Sequence, residues 1–306
     1  MIRQGADRRG YDHHRTPWPA SSRPRAADPD DPAAALEVRF IDRFFDITDA
    51  KDWNCLRSCD RLFQRTSTAH GTVQLWSCLC PHIGGRGAQA TVSILDPSLL
   101  KKLPAEQVLA TGMDAITHSL ESFLSNRDSL ITDALAIGSL RTLWAHIGRA
   151  AFSVNNMESR GKMLVASIMS VQASGNARLG LVHAMSDQIC AFHHVSHGMS
   201  NALMLPTVME YNLPAAPEKF LELAEVTRGP LHGGAAGPEA FLEQIEKLYR
   251  RLGLPMKLPD AVNPSSFDDW AVRTAENPLF KTTIRQPSKE EIVELYGRAK
   301  AGWSYT

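Results

Sequence analysis

No apolar run in this chain approaches the roughly 20 residues that a bilayer-spanning helix needs, which argues against an integral membrane protein of the helical kind. The first thirty-odd residues lack the apolar stretch of a secretory signal. They also carry Asp7, Asp12, Asp28, Asp30 and Asp31, too many acids for an organellar transit peptide. These absences predict a cytoplasmic protein. Charge of one sign is missing as well: the formal net charge is zero, so nothing draws the chain to nucleic acid or to an anionic membrane surface. Cysteine is scarce. Five residues, at 55, 59, 78, 80 and 190, make no secreted disulfide framework. Cys55, Cys59, Cys78 and Cys80 with His82 nearby suggest zinc, but C-x3-C and C-x-C are not the spacings of common knuckles, and reduced thiols are the better reading. Neither G-x-G-x-x-G nor a Walker loop is present. The Gly84-Gly85-Arg86-Gly87 patch reads as a turn.

The chain's 306 residues suffice for one large or two ordinary domains, and 43% hydrophobic with 22% charged content is that of a globular protein. Residues 1–36 are rich in Pro, Arg and Asp and read as a disordered tail. Residues 37–103 hold weak strand signals at Val38–Ile41, Thr72–Trp76 and Ala90–Leu95, the last ended by Asp96-Pro97, and a short helical signal over 49–63. From Pro104 the period changes. The segments Pro104–Phe123 (with a break near Gly112 left open), Ser129–Phe152, Met157–Gln172, Leu179–Phe192, His197–Tyr211, Pro217–Val226, Pro238–Leu252, Ser265–Glu276 and Ser288–Ala299 read as amphipathic helices. A Ser-Gly-Asn link is expected after Gln172. The predicted architecture is therefore mostly α: a small, incomplete α/β region followed by an all-helical domain over 104–306.

The chemistry concentrates in two stretches. Residues 183–198 hold four of the eleven histidines, and upstream Asp114 and His118 stand four apart in an apolar-periodic run. Positions i and i+4 share a helix face. One carboxylate and three imidazoles suit a divalent metal and leave room for a substrate oxygen. Asp114, His118, His183 and His197 are the expected ligands.

The segments Thr111-Gly112-Met113-Asp114-Ala115-Ile116-Thr117-His118-Ser119-Leu120-Glu121-Ser122, Leu179-Gly180-Leu181-Val182-His183-Ala184-Met185-Ser186 and His194-Val195-Ser196-His197-Gly198-Met199-Ser200-Asn201-Ala202 with Leu205-Pro206 resemble, in order, the metal-binding segments of the iron-containing alcohol dehydrogenases. Ile94-Leu95-Asp96-Pro97, Asn277-Pro278 and Gln286-Pro287-Ser288-Lys289-Glu290-Glu291-Ile292 resemble the family's entry strand, closing loop and last helix. The resemblance implies a helical domain of the iron-containing alcohol dehydrogenase and dehydroquinate synthase type. It also implies Fe²⁺ or Zn²⁺ on those four ligands, and hydride transfer between a small alcohol or aldehyde and NAD or NADP, with a homodimer open as the assembly.

Two departures accompany it. Where the family often has a second histidine four residues after the first, near the nicotinamide, this chain has Asp187. Asp187 is the candidate catalytic side chain, able to accept a proton or to hydrogen-bond the ribose. The family's Gly-Gly-Gly-Ser turn and its Thr-Thr-x-Gly-Thr-Gly-Ser-Glu segment have no counterpart beyond a loose echo at Thr66-Ser67-Thr68-Ala69-His70-Gly71-Thr72. The region before 104 reads as truncated, replaced or out of frame. Pyrophosphate is usually held by the backbone N–H groups of a glycine turn at a helix N-terminus. NADH or NADPH is therefore expected to bind no better than about millimolar, since each lost 1.4 kcal/mol is about tenfold. The alternatives are a metal-binding helical remnant without dehydrogenase activity and a helical metallohydrolase. The lack of a His-Asp dipeptide argues against the latter.

The remaining candidates have plainer readings. His193 and His194 read as pocket-wall residues, as supports behind the metal ligands or as plain structural residues, Met113, Met185 and Met199 as packing, and Glu121, Glu158 and Arg160 as solvated helix faces. His13, His14, His70, His82, His146 and His232 have no evident partners.

Overall fold

The computed structural model describes residues 95–153, 155–228 and 237–305, together with the backbone of two short strands. Every described residue belongs to one compact unit. The strands are β1 (Thr72–Gln74) and β2 (His82–Gly84), antiparallel with Thr72 opposite Gly84. The strand expected at Thr72–Trp76 is thus present over its first three residues, and Gly84 ends a strand. The signals at 38–41, 49–63 and 90–94 lie outside the described residues. Leu95 is in no strand.

Among the described residues, nine α-helices follow: α1 (Ala105–Phe123), α2 (Leu130–Phe152), α3 (Met157–Ala177), α4 (Leu181–His193), α5 (His197–Asn212), α6 (Pro217–Arg228), α7 (Ala240–Leu252), α8 (Phe267–Glu276) and α9 (Lys289–Ala301). No strand occurs among the described residues of 110–300, as the helical periodicity predicts. Caps set several boundaries: Ser129 and Thr132 form a capping box at the start of α2, Ser288 and Glu291 another at α9, and Asn156 accepts the Ser159 N–H at α3.

The central helix is α1. From Val108 to Phe123 every residue except His118 is buried, as expected of a helix enclosed on all sides. It packs on α2, α3 and α5. Val108, Met113, Ile116 and Leu120 are fully buried, each worth about 1.5–3 kcal/mol relative to exposure. The helix is not broken at Gly112. A Cβ there would lie 2.9 Å from both Ile147 Cδ1 and Met163 Cε, so this glycine allows close packing on α2 and α3.

Two further expectations are corrected. Helix α3 does not stop at Gln172 but runs through Ser174-Gly175-Asn176. The polar side chains that suggested a link bond the helix's own carbonyls instead, Asn176 Nδ2 donating to Gln172 O at 2.8 Å. Arg160 is not a solvated residue. It is fully buried, donating to Ala150 O at 3.2 Å, to Leu103 O at 3.2 Å and to Leu100 O. Its five N–H donors gather the loose carbonyls at the end of α2 and around the 3-10 turn Pro97–Leu100. Glu158, by contrast, is exposed and paired with Lys162 at 2.7 Å.

Helix α5 carries Pro206 in its interior, where proline removes the N–H that would bond the carbonyl four residues back. That carbonyl, on Ala202, receives the buried Tyr249 hydroxyl from α7 at 2.6 Å. Tyr249→Phe would orphan it. The expected loss is about 1–2 kcal/mol, a fall in Tm of roughly 2–8 °C for a domain of this size. An unshifted melting curve would show that the hydroxyl does not serve this function.

Candidate metal centre

Three helices bring the candidate ligands together. Asp114 and His118 lie one turn apart on α1, His183 is in the first turn of α4, and His197 opens α5. The turn between the last two depends on His194, which takes the left-handed φ of 53° at the C-cap of α4 and lets the chain reverse. Ligand atoms of Asp114, His183 and His197 lie within 4.8 Å of one another, all three buried. Asp114 Oδ1 is 3.5 Å from His183 Nε2 and 3.3 Å from His197 Nε2. His118 stands at the rim of this trio, its Nε2 3.6 Å from the same oxygen. Its ring lies 4.9 Å from that of His183, which lies 5.2 Å from that of His197.

The electrostatics follow from burial and crowding. Burial alone would raise the Asp114 carboxyl, but the imidazoles of His118 and His197, with hydrogen bonds from His183 and His197, hold it well below the usual carboxylate range. For His118 burial outweighs the attraction of Asp114, and its pKa falls to about 4. Burial also opposes charge on His183, yet hydrogen bonds to Asp114 and Glu121 lift it to about 10. A cation entering the cluster would compete with the proton for that imidazole.

Two residues join the site that sequence reasoning did not place there. Asn201 Nδ2 donates to Asp114 Oδ1 at 2.6 Å and stands 3.1 Å from His183 Nε2 and 3.2 Å from His197 Nε2. Its own Oδ1 accepts the Ser186 hydroxyl. Glu121 is buried and accepts from His183 Nδ1 at 2.6 Å, Gly180 N at 3.0 Å and Val182 N at 2.5 Å. The expectation of a solvated Glu121 is therefore wrong: the outer face assumed for it is covered by the start of α4. The signal was available in the spacing. Glu121 lies seven residues after Asp114 and Asn201 four after His197, so each shares a helix face with a ligand.

The donor set fits a divalent transition metal. One carboxylate oxygen with imidazole nitrogens is the chemistry Fe²⁺ and Zn²⁺ accept. The two hydrogens of the Asn201 amide cannot serve Asp114 Oδ1, His183 Nε2 and His197 Nε2 together. A cation among these crowded atoms would take the lone pairs that the amide leaves unserved.

Other predicted positions have partners of their own. Asp187, one turn beyond His183, is half-buried and accepts from Asn277 Nδ2 at 2.9 Å. His193 packs edge-on against Trp270 with ring centres 5.6 Å apart, and His194 is exposed. His146 does have a partner, the Ser159 hydroxyl, 3.1 Å from its Nδ1. Met113, Met185 and Met199 are buried, as packing residues should be. His13, His14, His70 and His232 lie outside the described residues, as do Cys55, Cys59, Cys78 and Cys80. Among the described residues no helix is long and apolar enough to cross a membrane.

The model of the Fe-containing alcohol dehydrogenase family, C-terminal, matches residues 108–300, and the chain belongs to that family. It is 34% identical over 212 residues to the 1,3-propanediol dehydrogenase of Citrobacter freundii, covering 68% of this chain and 55% of the relative. It is also 34% identical over 212 residues to the NAD-dependent methanol dehydrogenase of Bacillus methanolicus, covering 68% and 56%. Among solved structures, an iron-containing alcohol dehydrogenase from Thermococcus thioreducens superposes with a TM-score of 0.70 at 29% identity, over 80% of this chain and 64% of that one. The chain spans just over half the length of the curated relatives it matches.

Proposed function

We propose that this chain is a metal-dependent oxidoreductase in which Asp114, His118, His183 and His197 hold one Fe²⁺ or Zn²⁺, and that it transfers hydride between a small alcohol or aldehyde and NAD or NADP. The observation that carries the proposal is the buried convergence of Asp114, His183 and His197, with His118 adjoining, in a chain of this family. Named relatives support the substrate class: they are dehydrogenases of propanediol and methanol, the latter NAD-dependent. In this proposal residues 104–306 form the catalytic helical domain, 37–103 a divergent nucleotide-binding region and 1–36 a tail.

When bound, the ion supplies Lewis acidity to the oxygen of the alcohol or aldehyde. The chain's own residues do the rest. Asp114 brings the negative charge that offsets a divalent cation, the imidazoles add neutral donors, and burial keeps the cluster away from bulk water. Asp187, bonded to Asn277 and half-exposed, is proposed to take a proton or to hydrogen-bond a nucleotide ribose. A family member carrying histidine there would relay the proton through imidazole, whereas this chain offers a carboxylate.

Calorimetry of NADH and NADPH against the metal-loaded chain, followed by an alcohol-oxidation assay of wild type and Asp187→Asn, tests this reading. Slow but metal-dependent oxidation is expected, with cofactor affinity about millimolar or weaker and a lower rate in Asp187→Asn. Micromolar cofactor binding would assign a phosphate site to residues 37–90. Full metal occupancy without turnover of any small alcohol, with either cofactor, would leave a metal-binding helical domain and remove the dehydrogenase.

A further inference from the structure

Helix α4 begins without a side-chain cap of its own. Gly180 stands at its N-cap position, and the first N–H groups of a helix need acceptors from elsewhere. The acceptor comes from α1: the Glu121 carboxylate takes Gly180 N and Val182 N, an anion at the positive end of a helix dipole. The same carboxylate takes His183 Nδ1 at 2.6 Å. A Cβ at Gly180 would lie 3.1 Å from Glu121 Oε1, so the absence of a side chain there is what admits the carboxylate. A helix cap alone would be complete with the two N–H groups. The third bond aims elsewhere, at the ring whose other nitrogen, Nε2, faces Asp114 Oδ1 at 3.5 Å.

We infer that Glu121 is the positioning residue for His183. It holds the Nδ1–H tautomer, turns Nε2 with its lone pair toward Asp114 and His197, and adds negative charge behind the imidazole. A single helix then supplies two direct ligands, Asp114 and His118, and the carboxylate that orients a third. The inference rests on the metal-centre reading above. Carboxylates behind ligating histidines fix ring orientation and raise donor strength, and their loss weakens metal binding by about 10–100-fold. Glu121→Gln keeps the shape but removes the negative charge behind the imidazole and leaves one acceptor oxygen for three donors, so at least one of the three bonds is lost.

The test uses the full chain and zinc alone. Zinc affinity is measured by competition with a chromogenic chelator in wild type and Glu121→Gln, and thermal melts of both metal-free proteins are recorded alongside. Zinc binding about 10–100-fold weaker in the variant is expected. A lower Tm with zinc held as tightly as in wild type would make Glu121 a helix cap only and would overturn the inference. Should Glu121→Gln fail to fold, the zinc-loaded wild type decides. Nitrogen-15 NMR of histidine-labelled protein should show His183 carrying its proton on Nδ1 and zinc on Nε2, whereas coordination through Nδ1 would sink the proposal. A wild type that takes up no zinc would reject the metal centre itself, an outcome seen without any variant.

Discussion

Replacing His183 by alanine is expected to strip the chain of its metal. Bound iron or zinc should fall from about one ion per chain to near none, and His197→Ala should lose most of it. Structural zinc in small proteins is held by about 10–16 kcal/mol in total. Shared among four ligands, that is about 2.5–4 kcal/mol each, or on the order of 10²–10³-fold in affinity. The two variants differ in what else they disturb. His183 is 1% exposed and bonded through Nδ1 to Glu121, so its removal also leaves a buried carboxylate short of one partner. His197 lies at the start of α5 and is 8% exposed, so less packing is lost with it. Metal content by mass spectrometry on folded protein reads the effect. Unchanged content in both variants would mean that the ion sits elsewhere.

The second large effect is expected one residue along the chain. A Cβ on Gly198 would lie 2.0 Å from Ala110 O and 2.6 Å from Ala110 C, with Asp114 Cβ at 3.2 Å. The first two are backbone atoms of α1 and cannot rotate aside. Gly198→Ala must therefore push α5 away from α1, with a loss at or above the upper end of the usual overpacking range, about 3 kcal/mol. In a domain of this size that lowers Tm by roughly 6–12 °C. The displacement also carries His197 away from Asp114, so metal affinity should fall although every ligand is still present. Gly112→Ala is the control. The atoms nearest its new Cβ belong to the Ile147 and Met163 side chains and not to backbone, so they can adjust, and alanine favours the helix by about 1 kcal/mol. A Gly198→Ala protein that melts like wild type and binds metal as tightly would show that the two helices do not approach as closely as described.

The helices were legible in the sequence because their signals are local. Ser129 and Ser288 announce α2 and α9 as N-caps three residues ahead of Thr132 and Glu291, and apolar residues recur at helical spacing from Pro104 onward. The exceptions are local too. Ser174-Gly175-Asn176 looked like a link, but its side chains could bond α3 itself once packing held the helix in place. The pairing of Asp114 with His118 was visible for the same reason, one helix turn apart. That His183 and His197 join them came from resemblance to a family, since no periodicity links α4 and α5 to α1.

What the sequence determined by itself is a helical domain from about residue 104 and the pairing of Asp114 with His118 on one helix face, because both rest on spacings of a few residues. Tertiary structure alone decided which polar residues are buried and with whom. Glu121 reaches His183 across 62 positions and Asn201 reaches Asp114 across 87. Arg160 was assigned to solvent and is instead enclosed among carbonyls. Pro206 is tolerated because Tyr249 from another helix serves Ala202. In each case the partner is selected by how helices stack, a property of the packed whole, and a buried polar group must find that partner or the fold is destabilised.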